Sequence, residues 1–60
     1  MKQLWWGYLH INGNIQVKRF FDQIDLDEAE ESPFVERVTN TFEADGREEA
    51  IVIARERLTL

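Results

Sequence analysis

Residues 4–21 read LWWGYLHINGNIQVKRFF, and the architecture of the whole chain follows from this segment. Two runs rich in aromatic and branched side chains, Leu4–Ile11 and Asn14–Phe21, flank the dipeptide Asn12-Gly13. Asn-Gly is the strongest short-range signal for a β-hairpin, because the central residues of the tight turn need positive φ angles. The sequence therefore predicts an antiparallel hairpin at the start of the chain.

A short helix is predicted after the hairpin. The segment Asp25-Leu26-Asp27-Glu28 fits a capping box with Asp25 as the N-cap residue, so we expect one or two helical turns to about Glu31. Ser32-Pro33 then ends the helix, because the residue before a proline is driven away from helical backbone angles.

The remainder of the chain predicts a third strand and a longer helix. We expect the strand over Phe34–Val38, a kink or bulge at Thr39-Asn40, and a continuation over Thr41–Ala44. A second capping box, Asp45-Gly46-Arg47-Glu48, opens a helix that runs to about Leu58. The helix carries one apolar stripe, formed by Ala50, Ile51, Ala54 and Leu58. A helix this short needs a sheet to pack on. The sequence thus predicts a single α+β domain over residues 1–60, in the order strand, strand, short helix, strand, helix, with a three-stranded antiparallel sheet against the C-terminal helix.

The first strand is apolar on both faces, so the register of the hairpin decides which face is buried. A two-residue turn sets Tyr8 opposite Val17 and buries the Trp6 face. A three-residue loop with a bulge at Gly13 sets Leu9 opposite Ile15 and buries the Trp5 face. The second register is slightly favoured, because the ring polar atoms on the Trp6 face tolerate water and because Gly7 would then let the helix approach closely.

In the favoured register the outer face of the hairpin carries aromatic side chains interleaved with a cation. The candidate binding residues there are Trp6, Tyr8, His10, Lys18 and Phe20, beside Gln16. Three interpretations stay open. The short helix or the acidic segment covers these side chains; or they anchor a protein interface; or they stack nucleic-acid bases while Lys18 meets phosphate.

Charge is distributed unevenly along the chain, whose net charge is -5. Residues 1–21 contain three basic residues and no acid, whereas residues 22–45 contain nine acids and only Arg37. The densest acidic run is read mainly as a solvated face, with contact to a basic partner surface as the sharper interpretation. The candidate acidic partner surface consists of Asp25, Asp27, Glu28, Glu30 and Glu31.

Several function classes find no support in the composition. The chain has no cysteine and one histidine, His10, so neither a thiolate site nor a multi-histidine metal cage is expected. The acidic run fails the calcium-loop pattern, since Glu30 stands where glycine is required. We expect no enzyme activity, no cofactor, no metal, no signal peptide and no membrane span, and we take cytoplasmic residence as the default.

The stretch Phe42–Ala50, followed by Ala54, is similar to a recurrent pattern in which a strand ends at an aromatic and a polar turn caps the next helix. The pattern occurs in the arm-type DNA-binding domains of phage integrases and in HicB antitoxins, and the chain looks like short uncharacterised proteins of phage and mobile elements. The integrase resemblance implies a sheet face that enters a DNA groove. The HicB resemblance implies a protein-binding antitoxin.

The sequence favours a small binding module that contacts another protein or a second copy of itself, in the manner of an accessory or inhibitory phage-type protein. The alternative is a nucleic-acid-binding module that uses the aromatic and basic face of the hairpin.

Overall fold

The protein is described here by a computed structural model that covers residues 1–59. It is an α+β structure with an antiparallel sheet and two helices, as the sequence predicted, but the sheet has four strands where three were expected. The elements in chain order are β1 (Gln3–His10), β2 (Ile15–Arg19), α1 (Gln23–Glu31), β3 (Val35–Val38), β4 (Phe42–Ala44) and α2 (Arg47–Thr59).

The hairpin adopts the register that buries the Trp5 face. Leu9 lies opposite Ile15. The Gly13 N–H donates to the His10 carbonyl at 2.9 Å, and Gly13 has a φ of 94°. No other residue in 1–59 has a positive φ, so the two-residue turn, which needs positive φ at both central residues, does not form. The loop is therefore the three-residue kind, closed by a glycine bulge.

Strand β1 is the centre of the sheet. It pairs with β2 on one side and with β3 and β4 on the other, all antiparallel. The predicted third strand is thus two short strands in one row, interrupted at Thr39 and Asn40 as the sequence indicated. Thr39 is buried at the break, where its N–H donates to the Gly7 carbonyl at 2.8 Å. The hydrogen bond keeps the row attached to β1 across the interruption.

Helix α2 packs on the inner face of the sheet, against β1, β2 and β4. Its predicted stripe forms the core: Ala50, Ala54 and Leu58 are buried together with Trp5 and Val17. A Cβ added to Gly7 would lie 2.8 Å from the Cβ of Ala54. The absence of a side chain at Gly7 therefore lets the helix approach β1 closely, as expected.

Helix α1 begins earlier than the sequence indicated. Asp22, not Asp25, is the N-cap residue: its side chain accepts from the Ile24 N–H at 2.8 Å. Asp25 lies in the first turn instead. The predicted N-cap was wrong because Asp22 and Asp25 are both suitable capping residues, and it is Asp22 that has the extended backbone that an N-cap needs. Ser32 ends the helix with an extended ψ of 132°, as predicted from Pro33.

Candidate functional site

The outer face of the sheet, which is turned away from α2, carries a groove of about 300 Å³ between β1 and α1. We call it the outer groove. Its lining residues are Trp6, Tyr8, His10, Lys18, Asp25, Glu28, Ala29, Ser32, Phe34 and Val35. The two surfaces that the sequence indicated separately, the aromatic face of the hairpin and the acidic segment, therefore meet in one place.

The aromatic face is less open than the sequence indicated. Trp6 is only 2% exposed, so the expectation that its ring is available to a partner is wrong. The cause is α1, whose Asp25 and Ala29 line the same groove as Trp6. Leu26, the buried residue of α1, lies outside the core cluster under α2 and so belongs to this outer layer. Of the three interpretations of the aromatic face, coverage by the short helix holds for Trp6.

The other candidate residues of the aromatic face keep some contact with solvent. Tyr8, His10 and Phe20 are half-buried, and Lys18 is exposed. Phe20 is not among the lining residues of the outer groove; its N–H donates to the Leu4 carbonyl at 2.9 Å. The accessible residues of the predicted binding face that line the outer groove are therefore Tyr8, His10 and Lys18.

Contacts between neighbouring side chains fix the aromatic rings of the outer groove. The Trp6 and Tyr8 ring centroids are 5.7 Å apart at a tilt of 35°, and the Tyr8 hydroxyl donates to Gln16 Oε1 at 3.2 Å. The His10 ring stacks on Phe34 at 6.3 Å. Rings held in this way lose little conformational entropy when a ligand binds, which favours recognition.

Phe34 is a groove residue that the sequence analysis did not select. It is 60% exposed, although it was expected to open a strand. The sequence signal that could have identified Phe34 is its position directly after Pro33, at the start of the third strand. Because that strand pairs antiparallel with β1, its start lies beside the hairpin loop. Indeed the Ile11 N–H donates to the Phe34 carbonyl at 3.0 Å.

The acidic residues divide between two sides of α1. Asp25 and Glu28, three residues apart, line the outer groove. Asp27, Glu30 and Glu31 are exposed and do not line it. Within residues 1–59 the ion pair that forms is Lys2 with Glu49 at 3.9 Å, so neither groove acid is paired with Lys18. Two unpaired carboxylates against one ammonium give the groove a negative potential.

Polar contacts inside the groove region serve local structure. His10 Nδ1 accepts from the Asn12 N–H at 3.2 Å, and the Ser32 hydroxyl oxygen accepts from the Phe34 N–H at 3.2 Å. Across residues 1–59, no three His, Cys, Asp or Glu side chains are grouped so that they would hold a metal ion. The arrangement offers apolar contact, hydrogen bonding and negative charge to a ligand.

Comparison with protein-family models, curated proteins and solved structures finds no match to this chain. The similarity of Phe42–Ala50 to integrase and HicB domains therefore stays a prediction from sequence. No helix in the described part of the chain combines the length and apolar character that crossing a membrane requires.

Proposed function

We propose that this protein is a small, non-enzymatic binding module that holds a segment of another protein in the outer groove. The observation that carries the proposal is the meeting of Tyr8, His10 and Phe34 with the unpaired carboxylates of Asp25 and Glu28. The half-buried rings of Tyr8 and His10 and the exposed ring of Phe34 give a partner side chain apolar area to cover, and the acids give it a charge to meet.

The chemistry of the groove defines the partner segment. A groove of about 300 Å³ lies at the lower end of ligand-site volumes, so it accommodates one or two side chains rather than a folded domain. One of them carries a positive charge for Asp25 and Glu28, and its neighbour is aliphatic or aromatic. The outward acids of α1 extend the negative field and speed the approach of a basic segment. By binding such a segment, this protein would assist or inhibit the partner protein that carries it.

Nucleic-acid binding is the weaker alternative. Base stacking needs exposed rings, and Trp6 is buried under α1. Asp25 and Glu28 line the surface that would receive the backbone, where they repel phosphate. Lys18 is the one cation among the residues lining the groove.

The test is selection of peptides from a random display library on the immobilised full chain, followed by amide-resolved NMR of the enriched peptides. We expect enriched peptides to pair Lys or Arg with an apolar residue, and to shift the amides of Tyr8, His10 and Phe34. The double variant Asp25→Asn, Glu28→Gln is expected to weaken binding about tenfold, which corresponds to roughly 1.4 kcal/mol.

The matched control removes two charges from the other side of the same helix. Asp27→Asn, Glu30→Gln is expected to weaken binding less than about twofold at physiological salt, since both carboxylates are exposed, lie outside the groove and are largely screened. Shifts confined to surfaces away from the groove, or equal losses in both double variants, would contradict the proposal. Groove shifts with short mixed-sequence DNA or RNA, reversed by added salt, would favour the nucleic-acid alternative.

A further inference from the structure

A second groove, of about 430 Å³, lies at the end of β2 beside the start of α2. We call it the basic groove, because three of the seven basic residues of the chain line it: Lys18, Arg19 and Arg47. Among the lining residues that the structure describes, Asp25 is the one acid. The basic groove therefore has a net positive charge, although the whole chain has a net charge of -5.

The register of the hairpin explains why Arg19 faces this groove. Gly7 pairs with Val17, and Trp5 pairs with Arg19, so Arg19 belongs to the row of β2 that faces α2. Val17 in the same row is buried in the core, whereas Arg19 is exposed. The end of β2 therefore extends past the part of the inner face that α2 covers, and its last inward residue is a cation.

The cations of the basic groove are not neutralised within the described residues. The ion pair that forms in residues 1–59 joins Lys2 to Glu49, and neither of these lines the groove. Asp22 lies close by in sequence, but its side chain accepts from the Ile24 N–H and caps α1. The positive charge of the groove is therefore available to a ligand.

An aromatic ring holds one of the cations in place. The Arg19 guanidinium lies 5.4 Å from the centroid of the Phe21 ring, a cation–π contact that restricts the guanidinium without neutralising its charge. Phe21 also lines the groove, and its ring is 76% exposed. The rest of the ring is therefore free to cover an apolar group beside the charge.

The inner wall of the basic groove contains a buried hydrogen-bond donor. Trp5 and Val17 both line the groove, and Trp5 is only 7% exposed. Within the described residues, Trp5 Nε1 is buried without a hydrogen-bond partner. A buried N–H group without an acceptor is costly, and folded proteins keep few of them. A ligand oxygen that reaches this donor would remove the cost.

We propose that the basic groove binds a small organic anion, whose carboxylate or phosphate group meets Arg19 and Arg47 and whose flat apolar body packs on Phe21. A volume of about 430 Å³ is within the range of small-molecule sites. Guanidinium groups present forked donors that match the oxygens of carboxylates and phosphates. The basic groove takes a ligand of opposite charge to that of the outer groove, so the inference goes beyond the proposed function.

The surroundings of the basic groove favour a small ligand over a polyanion. Asp25 lines the groove and belongs to α1, whose other acids are exposed beyond it. An anion confined to the groove meets mainly positive charge. A nucleic acid or an acidic peptide would extend over the acids of α1 and be repelled there.

The test is an amide-resolved NMR titration of the full chain with benzoate and with phenyl phosphate at constant ionic strength. We expect saturable shifts of the Arg19 and Phe21 amides and of the Trp5 indole N–H. The dissociation constant is expected to be on the order of 1 mM, as a ligand of this size in an open groove allows. Inorganic phosphate lacks the apolar body and benzamide lacks the charge, so each should bind at least about fivefold more weakly.

Substitutions assign the binding to the two arginines. Arg19→Gln and Arg47→Gln are each expected to weaken binding of both anions about fivefold, because each removes charge-assisted hydrogen bonds. Both residues are exposed, so circular dichroism should show an unchanged fold. Arg55→Gln is the matched control: it removes the same charge from an exposed position of α2 outside the groove, and it should weaken binding less than about twofold.

Three results would overturn the inference. They are equal losses in Arg47→Gln and Arg55→Gln, an absence of shifts at about tenfold the expected dissociation constant, and tighter binding of an oligoglutamate peptide or an oligonucleotide than of either small anion at the same residues. Arg19 and Arg47 do not line the outer groove, so their variants leave the peptide-binding test of the proposed function separate.

Discussion

At Gly7, three parts of the fold meet. The residue lies under α2, and both its backbone groups bond to Thr39 at the break between β3 and β4. Any β-carbon at Gly7 would lie 2.8 Å from the Cβ of Ala54, closer than two carbon atoms pack, and 3.1 Å from the Gln16 carbonyl oxygen. Neither neighbour is the free end of a flexible side chain, so relieving the overlap requires α2 or the strand backbone to move.

We therefore expect Gly7→Ala to lower the free energy of unfolding by about 1–3 kcal/mol, the usual cost of overpacking a core. Urea denaturation followed by far-ultraviolet circular dichroism measures it. In an Ala54→Gly background the clashing methyl group is gone, so the same substitution should cost less. Equal costs in the two backgrounds would show that α2 does not touch Gly7.

The Thr39 hydroxyl gives the second prediction at this scale. Thr39 Oγ1 accepts from the buried Gly7 N–H at 2.9 Å. Thr39→Val keeps the shape but leaves that N–H without an acceptor, which costs about 1–3 kcal/mol. Thr39→Ser keeps the oxygen and is expected to retain more of the stability. Thr41→Val, at an exposed position, is the control and should stay within about 0.5 kcal/mol of the wild type.

At the scale of elements, the cap of α1 matters because the helix covers Trp6. Asp22→Ala removes the side chain that accepts from the Ile24 N–H. We expect a loss of about 0.5–2 kcal/mol, as for other N-cap residues, and a red shift of tryptophan fluorescence if the helix frays from the sheet. Asp25→Ala removes the residue that the sequence indicated as the cap; Asp25 lies in the first turn, where its charge is worth about 0.3–1 kcal/mol against the helix dipole. A larger loss of stability for Asp25→Ala than for Asp22→Ala would mean that Asp25 is the N-cap residue, as predicted from sequence.

The elements themselves were predictable from local chemistry, because their signals are local. Asn12-Gly13 gave the hairpin, the spacing of Ala50, Ala54 and Leu58 gave α2, and Pro33 gave the end of α1. The hairpin register was only slightly favoured from sequence: the close approach of α2 at Gly7 is confirmed, whereas Trp6, whose ring was expected to face water, is buried.

The burial of Trp6 was not predictable in the same way. It depends on where α1 lies, and α1 belongs to a segment separated from β1 by the whole hairpin. The groove had the same difficulty: Phe34 read as an ordinary strand residue, and Glu28 was assigned to an acidic surface separate from the aromatic face, until the topology brought them together. Local sequence specifies elements, and the contacts between distant elements specify a site.

The whole molecule is a flat body of 34 × 24 × 15 Å, and its acidic and basic residues are concentrated in different regions. The acids of α1 are exposed on the outer layer, while Arg19 and Arg47 lie together beside the end of β2. Asp25 and Lys18 line both the outer groove and the basic groove at the end of β2, so the acidic and basic surfaces adjoin at these two residues. Approach of the partner is steered toward α1.

Salt is expected to stabilise the isolated chain. Residues 22–45 hold nine acids against one arginine, so repulsion within the folded acidic segment is strong at low ionic strength. In the described residues the one ion pair, Lys2 with Glu49, is itself exposed to solvent, so screening removes little attraction. If screening relieves about 0.5–1 kcal/mol of repulsion, the melting temperature of a domain this small rises by roughly 2–8 °C. Thermal melts in increasing sodium chloride, at a low protein concentration that limits association, measure this rise in melting temperature.

The variant Asp27→Asn, Glu30→Gln, Glu31→Gln removes three outward charges without touching the groove, and we expect it to melt higher at low salt and to respond less to added salt. A melting temperature that falls as salt is added would mean that attractive pairs, not acidic repulsion, dominate the electrostatics of the fold.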